Sequence, residues 1–201
     1  MATDFNFRKQ ALKGLPTQRG VYVLCDLDNV PMYVGQSRDG IRQRVARHLT
    51  SARSDIIANR QIDVWEIAYV WAYPVEEKEE INRLEAYLFN FYNPKSQLMN
   101  GSLLPPLLID AALPESVTVQ VMSDHEIFLK RDPSQRLPRQ ATHYAQLVDH
   151  FLTVKNSTHI ARAMNAHFAR LQRYHLMLLG TATPEVDEEV SLFTNNSVLK
   201  Y

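Results

Sequence analysis

The stretch Gly20–His48, GVYVLCDLDNVPMYVGQSRDGIRQRVARH, decides the fold. Val21, Val23 and Cys25 alternate with Tyr22, Leu24 and Asp26, a period of two that suits a strand rich in β-branched and aromatic residues. Asp28–Asn29 marks a turn. Pro31 cannot donate within a ladder, so it fits the entry to a second strand, Met32–Val34, that ends at Gly35. The pair forms a hairpin that brings Tyr22 and Tyr33 together. Ser37 or Asp39 can cap the helix that follows, predicted over Gly40–Ala52, which carries Arg42, Arg44, Arg47 and His48.

Outward from this stretch, Phe5–Leu15 reads as a short helix before Pro16. On the other side, IDVWEIAYVWAY (Ile62–Tyr73) is dense in large apolar residues, which predicts a third strand over Asp63–Tyr73, covered on both faces. Trp65 and Trp71 suit packing better than base stacking. Pro74 ends the strand, and a helix is predicted over Val75–Tyr92. Glu76, Glu77, Glu79 and Glu80 crowd its start, where acidic side chains offset the helix dipole. They need no metal to explain them. Glu85 differs. Ile81, Leu84, Leu88 and Phe91 recur at helical spacing, and Glu85 falls at the edge of that apolar face. A carboxylate there needs a cation or an arginine. Asn93–Pro94 stops the helix.

The hairpin resembles the GIY-YIG nuclease signature. Gly20-Val21-Tyr22 stands where the family has its first triplet, and Tyr33-Val34-Gly35 where it has its second. Arg44 matches the family arginine on the first helix, and Arg44 with His48 looks like the Arg-x-x-x-His pattern of phage homing and restriction members. Glu85 matches the helical glutamate that holds the family's metal. The resemblance spans roughly residues 15–100 and implies an α+β fold: a small three-stranded sheet flanked by helices. It implies Tyr22 as general base, Tyr33 as second tyrosine and fallback, Arg44 on the scissile phosphate with His48 sharing that role or relaying a proton, and Glu85 as the protein ligand of one Mg²⁺ or Mn²⁺. Two positions depart from the family. Its asparagine shortly after the helix-ending proline falls on Gln97 here, with Asn100 or Asn93 able to take that place. Gln36 stands where repair-type members carry lysine.

Beyond the core, the apolar, proline-bearing segment 101–114 reads as a linker from a core of residues 1–100. An α/β extension over 115–180 is predicted as a hairpin, Ser116–Met122 with Glu126–Lys130, a basic loop over Arg131–Gln140, and two helices, Ala141–Thr153 and Thr158–Leu179. On the last helix Ile160, Met164, Phe168, Leu171 and Leu178 define one face. Lys155, His159, Arg162, Arg170 and Arg173 gather on the other, which sets a plain solvated face against a contact with the DNA backbone. Residues 181–201, with an acidic run at Glu185–Glu189, are expected to form a mobile tail.

Composition narrows the function. The 201 residues carry 22 Lys and Arg against 22 Asp and Glu, so a nucleic-acid partner needs a local basic patch. The candidates for that patch are Arg42, Arg47, Gln97, Asn100, Arg162, Arg170 and Arg173. The single cysteine, Cys25, excludes an intramolecular disulfide and a cysteine zinc cluster. No signal-like apolar core opens the chain and no run of about 18 apolar residues exists, so a soluble cytoplasmic protein without a membrane partner is expected. No glycine-rich phosphate loop supports a metabolic enzyme. The expected function is a Mg²⁺-dependent DNA endonuclease of restriction or phage type. A homodimer is expected if both strands are cut. The alternative is a catalytically weak nucleic-acid-binding or repair-associated module of the same fold.

Overall fold

The computed structural model describes residues 4–51, 54–106 and 113–180. Strands β1 (Gly20–Cys25) and β2 (Pro31–Ser37) pair antiparallel, with Tyr22 opposite Gly35 and Leu24 opposite Tyr33. Their turn is built by Asp26, whose Oδ1 accepts the N–H groups of Asp28 and Val30. Asn29 takes φ 60°, a left-handed value that asparagine tolerates.

β3 is shorter than expected and runs over Tyr69–Pro74. Val64–Glu66 instead forms a 3₁₀ turn, because Asp63 turns its carboxylate onto the Trp65 N–H and caps it. A fourth strand, β4 (Val117–Gln120), pairs antiparallel with β3, so the order is β2-β1-β3-β4. The predicted hairpin of the extension is therefore corrected. β4 belongs to the main sheet, and Asp124–Arg131 is a helix, capped by Ser123 Oγ on the Glu126 N–H.

The first helix, α1 (Phe5–Ala11), is capped by Asp4. Its Arg8 is fully buried and donates to the carbonyls of Val121, Val64 and Ile67. α2 covers Ile41–Thr50 and α3 Asp55–Ala58. Ser37 braces the start of α2 by accepting the Gly40 N–H and donating to the Gly40 carbonyl. α4 runs over Glu80–Tyr92, so of the four glutamates only Glu80 lies in its first turn. α5 is Asp124–Arg131, α6 Pro133–Thr153 and α7 Thr158–Leu178. The predicted loop Arg131–Gln140 is another correction: Asp132 caps α6, Pro133 occupies its first turn, and Pro138 is carried inside the helix.

The two sheet faces bury different partners. Tyr22, Leu24 and Met32 pack with Ile41, Val45 and Leu49 of α2, with α1, and with Ala166 of α7. Val21, Val23, Cys25 and Val34 pack with Ile81, Leu88, Phe89 and Tyr92 of α4. Cys25 is a buried core residue, and Trp71 is buried with its indole N–H on Asn29. Among the described residues no helix is long and apolar enough to cross a membrane.

The C-terminal helices are tied to the hairpin turn by buried charges. Arg170 donates to Asp26 at 2.6 Å and to the Pro31 carbonyl at 2.6 Å. Arg136 bridges Asp28 and Glu66, and its guanidinium stacks on Tyr174. Arg53, the linker residues 107–112 and the tail 181–201 lie outside the described residues.

Candidate active site

Gly35 opens the site. It faces Tyr22 across the ladder, and a Cβ built there would sit 2.5 Å from the Tyr22 hydroxyl and 2.7 Å from the Tyr33 ring. The missing side chain lets the Tyr22 phenol lie directly over β2. The two tyrosine rings stand 6.4 Å apart, and the His48 imidazole stands 5.8 Å from Tyr22 on its other side.

Helix α2 delivers His48 and Arg44 one turn apart. The Tyr22 hydroxyl lies 2.8 Å from His48 Nε2, and His48 Nδ1 lies 2.5 Å from Ser54 Oγ. All three groups are buried. Ser54 was not legible as a site residue, because it follows the helix in a segment with no motif.

Burial holds the Tyr22 phenol well above its ordinary pKa, and Tyr33 adds to the rise. Arg44 hydrogen-bonds the same hydroxyl and pulls the other way, while the Glu85 charge pushes up again. Burial therefore outweighs the lowering by Arg44. The same balance shows that Glu85, on the helix of the opposite face, is near enough to Tyr22 for the two to feel each other's charge.

Glu85 is half-buried on α4. Gln36 donates to its Oε2 at 2.8 Å and to Asn82 at 3.1 Å. Burial raises the Glu85 carboxyl, and the hydrogen bond from Gln36 and the charge of exposed Arg38 oppose the rise. Gln36 thus holds the carboxylate without neutralising it. Among the described residues no group of three or more His, Cys, Asp or Glu side chains could hold a metal ion. A cation at Glu85 would keep most of its water, as Mg²⁺ commonly does with one carboxylate, so the donor set fits such an ion.

The other sequence candidates scatter. Asn100 clamps β2, its amide accepting the Val34 N–H at 3.0 Å and donating to the Val34 carbonyl at 2.7 Å. Gln97 is half-buried, and Asn93 accepts from the Leu98 N–H and from Arg162. Of the three, Asn100 is the one fastened to the Tyr33-Val34-Gly35 triplet. Arg42 donates to the Leu15 carbonyl, and Arg47 is exposed. On α7, Arg162 packs on Phe89 and Arg173 is half-buried. Arg170 is 7% exposed and held by Asp26, so it does not belong to a surface stripe. The apolar face differs too: Phe168 and Leu178 are exposed, and Ala163, Ala166 and Tyr174 face the core.

An antiparallel sheet with a tyrosine-bearing hairpin, helix α2 carrying arginine and histidine, and a glutamate helix on the far face define a nuclease-type α+β fold. Residues 18–100 match the GIY-YIG catalytic domain, which supports membership of the GIY-YIG nuclease superfamily for that part of the chain. No curated protein matches the chain.

Proposed function

We propose that this chain is a divalent-metal-dependent DNA endonuclease, a cytoplasmic enzyme of restriction or phage type. The observation that carries the reading is the hydrogen bond between Tyr22 and His48, with the charges of Arg44 and Glu85 both acting on the same phenol.

Hydrolysis needs a proton taken from water and charge balanced on the phosphate. A phenol held above its usual pKa of about 10 cannot wait as phenolate at neutral pH. It can still pass protons. As the water gives a proton to the Tyr22 oxygen, the phenol gives its own to His48 Nε2. Ser54 Oγ accepts from Nδ1–H and so keeps Nε2 free to receive. Arg44 holds the scissile phosphate and the charge that develops on it. Tyr33 orients the water. Glu85 would hold a divalent ion, which would supply positive charge to the leaving 3′ oxygen. Arg47, Arg42 and Arg173 are proposed to track the phosphate backbone. Cutting both strands calls for a second copy of the chain.

The test incubates the purified full chain with supercoiled, linear and single-stranded DNA, with and without Mg²⁺. Cleavage that needs Mg²⁺ supports the reading. Glu85→Gln keeps the size and the hydrogen bond to Gln36, so the melting temperature should hold while cleavage falls by orders of magnitude. Intact cleavage with a lowered melting temperature would return Glu85 to a structural role.

A further inference from the structure

A cleft of about 260 Å³ opens beside the catalytic hairpin. Tyr33, Asn59, Gln61, Ser102, and Lys155 and His159 from the α7 entry are among its lining residues. The walls are fixed. A Cβ at Gly101 would stand 2.9 Å from His159 Cβ and 3.0 Å from Gln61 Nε2, so the loop runs tight against both. Ser102 Oγ lies 2.9 Å from His159 Nε2 and orients that ring.

The lining selects an occupant. It offers amides, a hydroxyl, an aromatic ring and two basic side chains, and among the described residues no carboxylate lines it. Two other clefts contrast with it. One, beneath the start of α4, is lined by Glu76, Glu77, Glu80 and Glu115, and would repel a phosphate. The other, at α5, sets Asp124 and Asp132 against Arg131 and Phe128. Only the first of these three clefts joins the candidate active site, through Tyr33.

We propose that this cleft binds the nucleotide flanking the scissile phosphate, with Lys155 and His159 on its phosphate and Asn59 and Gln61 on its base edge. The proposal rests on the endonuclease reading. Lysine meets a phosphate as a compact point charge. Asparagine and glutamine pair two-fold with an adenine edge, and an aromatic ring such as Tyr33 gives a base a face to stack on. Phosphate contacts set position and base contacts set preference, so the α7 entry fixes register while Asn59 and Gln61 read sequence.

The experiment uses the full chain with Glu85→Gln as parent, so that DNA stays uncut. Anisotropy of a short labelled duplex is followed through a salt series for the parent and for Lys155→Ala/His159→Ala. The double variant should bind about tenfold more weakly, with a salt slope shallower by about one. Asn59→Ala/Gln61→Ala should keep the slope and change the ranking of duplexes that differ at one base pair. An unchanged salt slope in the first variant overturns the phosphate site, and an unchanged ranking in the second overturns the base-edge contact. Cleavage by the native chain is scored separately. If the native chain cleaves and both variants bind like the parent, the cleft fails and the nuclease reading stands. If the native chain does not cleave and Lys155→Ala/His159→Ala still loses DNA, the catalytic reading fails and the nucleotide site stands.

Discussion

The Tyr22 hydroxyl meets His48 Nε2 at 2.8 Å, inside the seam between the sheet and α2. Tyr22→Phe keeps the ring's packing and removes the proton carrier. Single-turnover cleavage should fall on the order of a hundredfold or more, with DNA binding nearly intact. Tyr33→Phe should cost less. Ser54→Ala frees the far side of the imidazole and should cost on the order of tenfold. Full activity in Tyr22→Phe would remove the tyrosine from proton transfer and leave His48 as the base.

Gly35→Ala tests the opening of the site. Its Cβ would overlap the Tyr22 hydroxyl and ring carbon, at 2.5 and 2.6 Å. Both rings must shift, at a cost of about 1–3 kcal/mol. Cleavage should fall well beyond what that loss of stability explains. Urea midpoints measured beside cleavage rates separate the two effects, and rates that simply follow stability would refute the placement.

Much of this was legible because short-range patterns decide it. The alternation in β1, the proline opening β2 and the helical spacing around Glu85 each point to one local structure. The second half was harder. Glu126–Lys130 is too short an apolar run for periodicity to decide, yet Ser123 and Glu126 carry the Ser-x-x-Glu signature of a helix start. Asp132-Pro133 likewise marks a helix start within a stretch whose prolines suggested a loop. Arg170 looked like surface charge because its partner, Asp26, stands 144 residues earlier. Spacing on one helix says nothing about so distant a carboxylate. Ser54 escaped for the same reason: its role exists only once α2 has brought His48 over it.

Arg170 and Arg47 should therefore behave differently. Arg170→Ala leaves Asp26 buried without its closest cation and should cost about 3–5 kcal/mol. Arg47→Ala, on an exposed face, should leave the melting temperature alone and make DNA binding less steep with salt by about one. Thermal melts and binding isotherms of both variants check this. A stable Arg170→Ala that loses DNA would put the side chain back on the nucleic-acid surface.

Stability against pH has a defined sign. Burial, aided by the neighbouring His143, pushes His167 down to about 3, and its Nε2 faces the Gln61 carbonyl at 2.9 Å. The unfolded chain takes up this proton below about pH 6.5, and the folded chain refuses it until about pH 3, so stability falls on acidification across that window. Glu66 has the opposite sign. Burial raises it to about 7, so its contribution is full below about pH 4.5 and lost as pH rises through about 7. His167→Gln keeps an N–H for Gln61 and has no proton to gain. Urea unfolding of this variant should lose less stability than the native chain between about pH 6 and pH 4. Equal slopes would show that His167 is not the acid-sensitive group.

The outer edge of β2 is occupied by the chain's own later residues. Ser96 donates to the Pro31 carbonyl, the Met99 N–H to Met32, and Asn100 takes both polar groups of Val34. An unguarded margin of this kind is where sheets of separate molecules merge. Over Pro31–Val34 that route is closed. The strand that carries Tyr33 thus has its outer edge held by the chain itself over this stretch.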